Sequence, residues 1–263
     1  MGTSLLMLVP QQIFSGMNSF VLMAIPLFLL SGELMNVSGI TERIVRFTNT
    51  LVGHRKGGLG HVNIAANIFM AGISGAAVAD AAALGTMLIP AMNKSGYSKP
   101  YATALTGAAS IIGPTIPPSM AMIVYGSVAN TSIAGLFATD FLPGLFLGLL
   151  MMVLNHIISS RRGYQMQQRK ASLGEVFRAL KDGIFALGMP VIILGGILSG
   201  IFTPTEAAGV AVGYSLFVGL FIFRTLTLPM IWQALKKTIS ISGVALLLVS
   251  VGGILSWVLT VAQ

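Results

Sequence analysis

Between two basic connections, Glu42–Lys56 and Asn93–Lys99, the chain runs for 32 residues, His61–Met92, with Asp80 as its only charged side chain. A straight helix of that length would measure about 48 Å, well beyond a hydrocarbon core about 30 Å thick. It would also carry one basic connection to the face opposite the other. A re-entrant hairpin removes both difficulties. Two arms of about 14 residues would enter and leave by the same face, each reaching the middle of the core. The turn falls at Gly72-Ile73-Ser74-Gly75, which places Asp80 near the tip.

The rest of the chain demands a bilayer as well. Of 263 residues, 55% are hydrophobic and only 8% are charged, with a mean hydropathy of +0.88. Soluble domains carry about 25% charged residues, so a water-facing surface cannot be assembled here and a soluble enzyme is excluded. Further spans are expected at Phe20–Met35, Ala102–Tyr125, Ile133–Ile158, Gly183–Phe202, Ala207–Phe223 and Ser242–Ala262. All Lys and Arg lie in four connections, Glu42–Lys56, Asn93–Lys99, Ser159–Asp182 and Arg224–Lys237, whereas Ser127–Ser132 and Thr203–Glu206 carry none. The bias of basic residues toward the cytoplasm puts the first four inside and the other two outside. The formal net charge of +8 is therefore topological and suits an anionic lipid surface, not nucleic acid. The second half of the basic connection 159–182, with Val176, Phe177 and Leu180, reads as an interfacial helix. The fold expected is an all-α polytopic membrane domain over 1–263.

Cysteine is absent and the three histidines are far apart in sequence, which excludes disulfides and gives no metal-ligand spacing. No charged n-region or A-x-A site marks a signal peptide. Apolar sequence runs to the last residues, as expected of a segment of a longer chain.

An internal repeat accompanies this pattern. Pro26-Leu27-Phe28-Leu29-Leu30-Ser31-Gly32 matches Pro190-Val191-Ile192-Ile193-Leu194-Gly195-Gly196, and at the same offset Thr41-Glu42 falls on Thr205-Glu206. Glu42 is placed inside and Glu206 outside, so the copies have opposite topology, the arrangement of inverted-repeat secondary transporters. A second hairpin is then expected close to where this sequence stops.

Four features could carry chemistry. Asp80 costs about 2.5–3.5 kcal/mol at mid-membrane on insertion scales, and no Lys or Arg lies within an apolar block to pair with it. It is either a protonated or water-facing lining residue, or a cation ligand beside the carbonyls freed at Gly72–Gly75. Gly113-Pro114-Thr115-Ile116-Pro117-Pro118-Ser119 cannot continue a helix. It is either a kink or an unwound span that faces the hairpin tip and offers the Gly113 carbonyl and the Thr115 and Ser119 hydroxyls. Phe202-Thr203-Pro204-Thr205-Glu206 reads as a capped helix start, with a ligand role for Thr205 or Glu206 as the alternative. Glu33 and Asp140 interrupt spans without a readable partner. No G-x-x-x-x-G-K-[ST], G-x-S-x-G or H-E-x-x-H is present, so no ATP hydrolysis or hydrolytic chemistry is indicated.

Gly72–Gly85, Gly113–Ser119 and Phe202–Ala208, in that order, resemble the signature stretches of the large membrane subunit of tripartite ATP-independent periplasmic (TRAP) transporters, within the ion transporter superfamily. Ile25–Phe28 with Gly32–Met35, and Leu51–His54, are similar to further segments of the same family. The resemblance implies an elevator-type, sodium-driven importer of an organic acid in the bacterial inner membrane. Its partners would be a periplasmic binding protein and a small membrane subunit. It nominates Ser74, Asp80 and Gly113 as sodium ligands, with backbone oxygens near Ala76 and Pro117; the family often has serine at the place of Ala76. Thr115, Ser119, Thr205 and Glu206 are the substrate or gating candidates. A stand-alone sodium/dicarboxylate symporter is the nearest alternative, and a passive channel or a scaffold a more distant one.

Overall fold

The computed structural model describes residues 10, 11, 13–164 and 170–262, and every regular element among them is helical. In chain order these are α1 (Ala24–Val37), α2 (Ile40–Val52), α3 (Gly58–Ser74), α4 (Ala77–Lys94), α5 (Lys99–Ser110), α6 (Ile112–Thr115), α7 (Met120–Val128), α8 (Ile133–Arg162), α9 (Leu173–Leu198), α10 (Pro204–Phe217) and α11 (Leu228–Ala262). A single π-helical turn, Val218–Ile222, prolongs α10. Among the described residues four helices are long and apolar enough to cross a bilayer: α8, α9, α10 with its π turn, and α11. Two bent pairs can be counted as broken spans, α1 with α2 at 71° and α5–α6 with α7 at 43°. The outer helices turn apolar side chains such as Leu142, Phe146, Val244 and Leu248 outward, where water would penalise them and lipid does not. The chain is an all-helical, multi-pass membrane protein.

The first hairpin arm, α3, is the centre of the bundle. Fourteen of its seventeen residues are buried, and it packs on α1, α2, α4, α5, α6 and α8. Small residues permit this crowding. A methyl group on Gly72 would lie 2.7 Å from the Pro190 ring, and one on Gly32 would lie 3.2 Å from Ser74 Cα. Pro190 and Gly32 come from opposite copies of the internal repeat, so both copies press on the end of α3. The packing is reciprocal too: α1 lies on α10, and α2 lies on α9. Exchanging the copies exchanges those two contacts.

Several expected connections are helical instead. Residues 40–52 form α2, because Ile40, Ile44, Phe47 and Thr48 make one buried stripe at helical spacing while the charges take the other face. Among the described residues of 159–182 there is no separate interfacial helix. α8 extends to Arg162, and α9 starts at Leu173 behind a Ser172–Glu175 capping box and continues unbroken to Leu198. Residues 165–169 of that stretch lie outside the described residues. Lys236 and Lys237 sit inside α11. At 35 residues that helix is about 52 Å long, so it projects beyond the core and can carry charges near one end.

Candidate functional site

The block His61–Met92 is a helical hairpin whose arms are slightly longer than the spacing suggested. Gly75 breaks it at φ +59, a left-handed conformation that closes α3 through its N–H on the Ala71 carbonyl at 3.3 Å. Ala76 is extended, and α4 begins at Ala77. The arms fold back on each other: Asn63 Nδ2 near the start of α3 lies 3.8 Å from Met92 Sδ near the end of α4. Both bases of the hairpin are therefore at one end of the bundle. Asn63 also donates to Thr106 Oγ1 at 2.6 Å, which ties the arms to α5.

Asp80 lies in the first turn of α4, its N–H on the Ala76 carbonyl at 3.1 Å. A carboxylate there is favoured by the helix dipole. The side chain has no exposed surface. Ser74 Oγ donates to Oδ1 at 2.5 Å, and the Ala76 N–H reaches the same hydroxyl at 3.4 Å. Oδ2 is buried without any hydrogen-bond partner. An unpartnered carboxylate oxygen of this kind is strongly disfavoured in a low-dielectric interior.

Facing Oδ2 is Gly113. A methyl group on it would lie 2.5 Å from that oxygen and 3.5 Å from the Ala76 carbonyl carbon. The proline-rich stretch is broken as expected, but the break is narrower. Gly113 and Thr115 belong to the short helix α6, which tolerates Pro114 because its early N–H groups have no intrahelical acceptor. The helix is interrupted briefly at Ile111, between α5 and α6, and fully at Ile116–Ser119, which contains a cis peptide between Pro117 and Pro118. The Pro118 carbonyl oxygen abuts the αL turn so closely that a side chain at Gly75 would overlap it. Ser74, Ala76, Asp80, Gly113 and the Pro118 carbonyl thus converge where the two breaks meet. Hydroxyl, carboxylate and carbonyl oxygens suit a hard cation. No cluster of three His, Cys, Asp or Glu occurs among the described residues, so a cation here would rest on this single acid.

The other candidates are engaged elsewhere. Thr115 Oγ1 donates to the Ile111 carbonyl at 2.9 Å, and Ser119 Oγ caps α7 by accepting from Met122 N at 3.4 Å. Thr205 donates to the Phe20 carbonyl at 3.1 Å. Glu206 accepts from Thr203 N and Oγ1, both at 2.8 Å, in the capping box of α10. Neither bonds to a residue around Asp80. Glu33 has the partner that the sequence concealed, Lys237 Nζ at 2.6 Å.

The family model described as "Tripartite ATP-independent periplasmic transporter, DctM component" matches residues 1–263. The chain is 46% identical over 253 residues to the sialic acid TRAP transporter large permease protein SiaM of Vibrio cholerae, covering 96% of this chain and 59% of that protein. It is 41% identical to the 2,3-diketo-L-gulonate TRAP transporter large permease protein YiaN of Escherichia coli, with the same coverage. To the C4-dicarboxylate TRAP transporter large permease protein DctM of Pseudomonas aeruginosa it is 36% identical, again over 96% of this chain and 59% of the other. The chain thus spans about three fifths of the length of these relatives.

Proposed function

The chain belongs to the DctM-component family of tripartite ATP-independent periplasmic transporters, and from that premise we propose that it forms the core of a large permease subunit that imports an organic acid on a sodium gradient. The acid would be delivered by a periplasmic binding protein, with a small membrane subunit alongside and the bacterial inner membrane as the site. The observation that carries this reading is the Asp80 carboxylate, buried with Oδ2 unpartnered where the hairpin tip meets the broken helix. Sodium would balance this charge as the coupling ion, held by Asp80, Ser74 and Gly113 with backbone oxygens near Ala76 and Pro117. Its binding would neutralise Asp80 and draw the tip of the hairpin onto the 117–118 backbone. If substrate binds better to that ordered tip, sodium and substrate favour each other by the same factor, which is the coupling.

The membrane disposition follows in the same reading. The hairpin would be re-entrant, entering and leaving at the cytoplasmic face. The reciprocal packing of α1 on α10 and α2 on α9 supports an inverted repeat, about which the unit holding the hairpin and the broken helix would move as an elevator.

The experiment is uptake of candidate organic acids into proteoliposomes that hold the complete permease and its small subunit, with and without a sodium gradient and with and without binding protein. Uptake that requires both supports the proposal. Uptake on sodium alone assigns the chain to a stand-alone symporter mode, and uptake down the substrate gradient without sodium makes it a passive channel. The hairpin is tested separately by Lys56→Cys and Ser95→Cys in this cysteine-free sequence. Labelling of both from the cytoplasmic side alone supports re-entry; labelling from opposite sides overturns it. Gly57 is unsuitable for such a probe, because its φ is +73 and Ser159 occupies the space a side chain would need.

A further inference from the structure

A cavity of about 510 Å³ is lined from the end of α2, the start of α3 and the second half of α8. It shares no residue with the Asp80 site. Its wall is apolar: Leu149, Val153 and Ile157 follow one another at four-residue spacing on α8 and are 51%, 56% and 44% exposed. Its head is polar: Arg55, His61 and His156 line it, and the two imidazole rings are 6.0 Å apart. His61 is only 4% exposed, and its Nε2 is buried without a hydrogen-bond partner. Among the described residues no carboxylate lines the cavity, so nothing there offsets the Arg55 guanidinium.

The two halves of the cavity call for different chemistry. Arg55 belongs to a basic connection with Lys56, and α8 ends shortly beyond His156 at Arg161 and Arg162. The polar head therefore lies at the level of the bilayer interface, while the apolar groove runs along α8 into the core. A soluble anion would use the head and leave the groove unoccupied. We propose that this cavity binds an anionic phospholipid, with its phosphodiester on Arg55 and His156 against His61 and the first part of an acyl chain along Leu149, Val153 and Ile157. A guanidinium matches phosphate oxygens in a two-point fork, and basic pockets between membrane helices at the cytoplasmic side attract such headgroups. The site is independent of the sodium reading, since it touches none of those residues.

The test is native mass spectrometry of the complete permease in mild detergent, with dioleoyl phosphatidylglycerol, dioleoyl phosphatidylcholine or millimolar inorganic phosphate as probes. The wild type is expected to retain phosphatidylglycerol roughly tenfold better than phosphatidylcholine, and Arg55→Ala with His156→Ala to lower that retention roughly tenfold. Val153→Trp fills the groove without changing charge and should lower it as well. Should the double variant fail to fold, Val153→Trp decides alone. Equal retention of phosphatidylglycerol by wild type and Val153→Trp overturns the proposal. So does Arg55-dependent binding of inorganic phosphate at comparable affinity, which makes the cavity a soluble-anion site. Loss of the lipid when the small membrane subunit is co-expressed also overturns it, by assigning the groove to a protein.

Discussion

Glu33 and Asp80 are the two buried acids among the described residues, and the fold treats them in opposite ways. Glu33, 6% exposed near the end of α1, is met by Lys237 Nζ at 2.6 Å, on a side chain that is itself half in solvent. Asp80 has no exposed surface, a serine hydroxyl on one oxygen and nothing on the other. One acid is balanced by the chain's own base and the other is not. Because leaving a buried charge unpaired is far costlier than pairing it, the contrast is the basis for proposing that the counter-charge of Asp80 is an external cation.

The largest effect is expected from removing the unbalanced charge. Asp80→Asn should weaken sodium binding by at least ~100-fold, in line with losing one partner of a buried ion pair. The same variant should be no less stable than wild type in sodium-free buffer, since it also removes the unpaired charge. Thermal unfolding with and without sodium checks both halves. Retained sodium stabilisation in Asp80→Asn would remove Asp80 from the site. A smaller loss is expected from Gly113→Ala, whose methyl would stand 2.5 Å from Oδ2. Overpacking of this kind costs about 1–3 kcal/mol, so, with that cost falling on the bound state, sodium affinity should fall by at least ~5-fold. Gly107→Ala on the same broken span has open space around it and should leave sodium affinity unchanged while stabilising the helix by about 0.5–1 kcal/mol. That pair of glycines separates a local clash from a general helix effect.

The two acids were not equally legible in the sequence. Asp80 stood out because it is alone in a long apolar block, and its neighbour Ser74 is only six residues away across a glycine-marked turn. Gly113 was legible as a carbonyl at the proline-marked break, but its nomination as a sodium ligand came through the family resemblance, since no periodicity links it to a residue thirty-three positions earlier. The Glu33–Lys237 pair is a contact between α1 and α11, and single-chain patterning cannot show which distant helices pack together. Boundaries failed for a related reason. Residues 40–52 and the first turns of α11 read as connections, and the start of α9 as a separate interfacial helix, because charge reads as the end of a span. An amphipathic helix, or one longer than the core, carries charge without leaving the helix.

The paired acid should respond asymmetrically and more weakly. Lys237→Met leaves a buried carboxylate without its partner and should destabilise by about 1–3 kcal/mol. Glu33→Gln leaves a lysine that is already 55% exposed and should cost less than about 1 kcal/mol. The double variant should recover much of the Lys237→Met loss. Melting temperatures of all three in one buffer measure this, and equal losses in the two single variants would mean that the pair is not buried on the Glu33 side. Neither single variant should alter the sodium dependence of stability, which keeps this pair apart from the Asp80 site.

Glu206 completes the ordering, with an effect close to none. Its carboxylate accepts from the N–H and hydroxyl of Thr203 in an exposed capping box, and a glutamine side-chain oxygen can accept the N–H bond equally well. Glu206→Gln should therefore shift the melting temperature by no more than ~2 °C, the range of exposed substitutions in a chain of this size. Sodium-dependent uptake should be unchanged, because the residue lies on neither side of the two charge balances. A large fall in uptake at unchanged melting temperature would reverse that assignment. The charge would then act on substrate or on gating, and the capping box would be only its resting position.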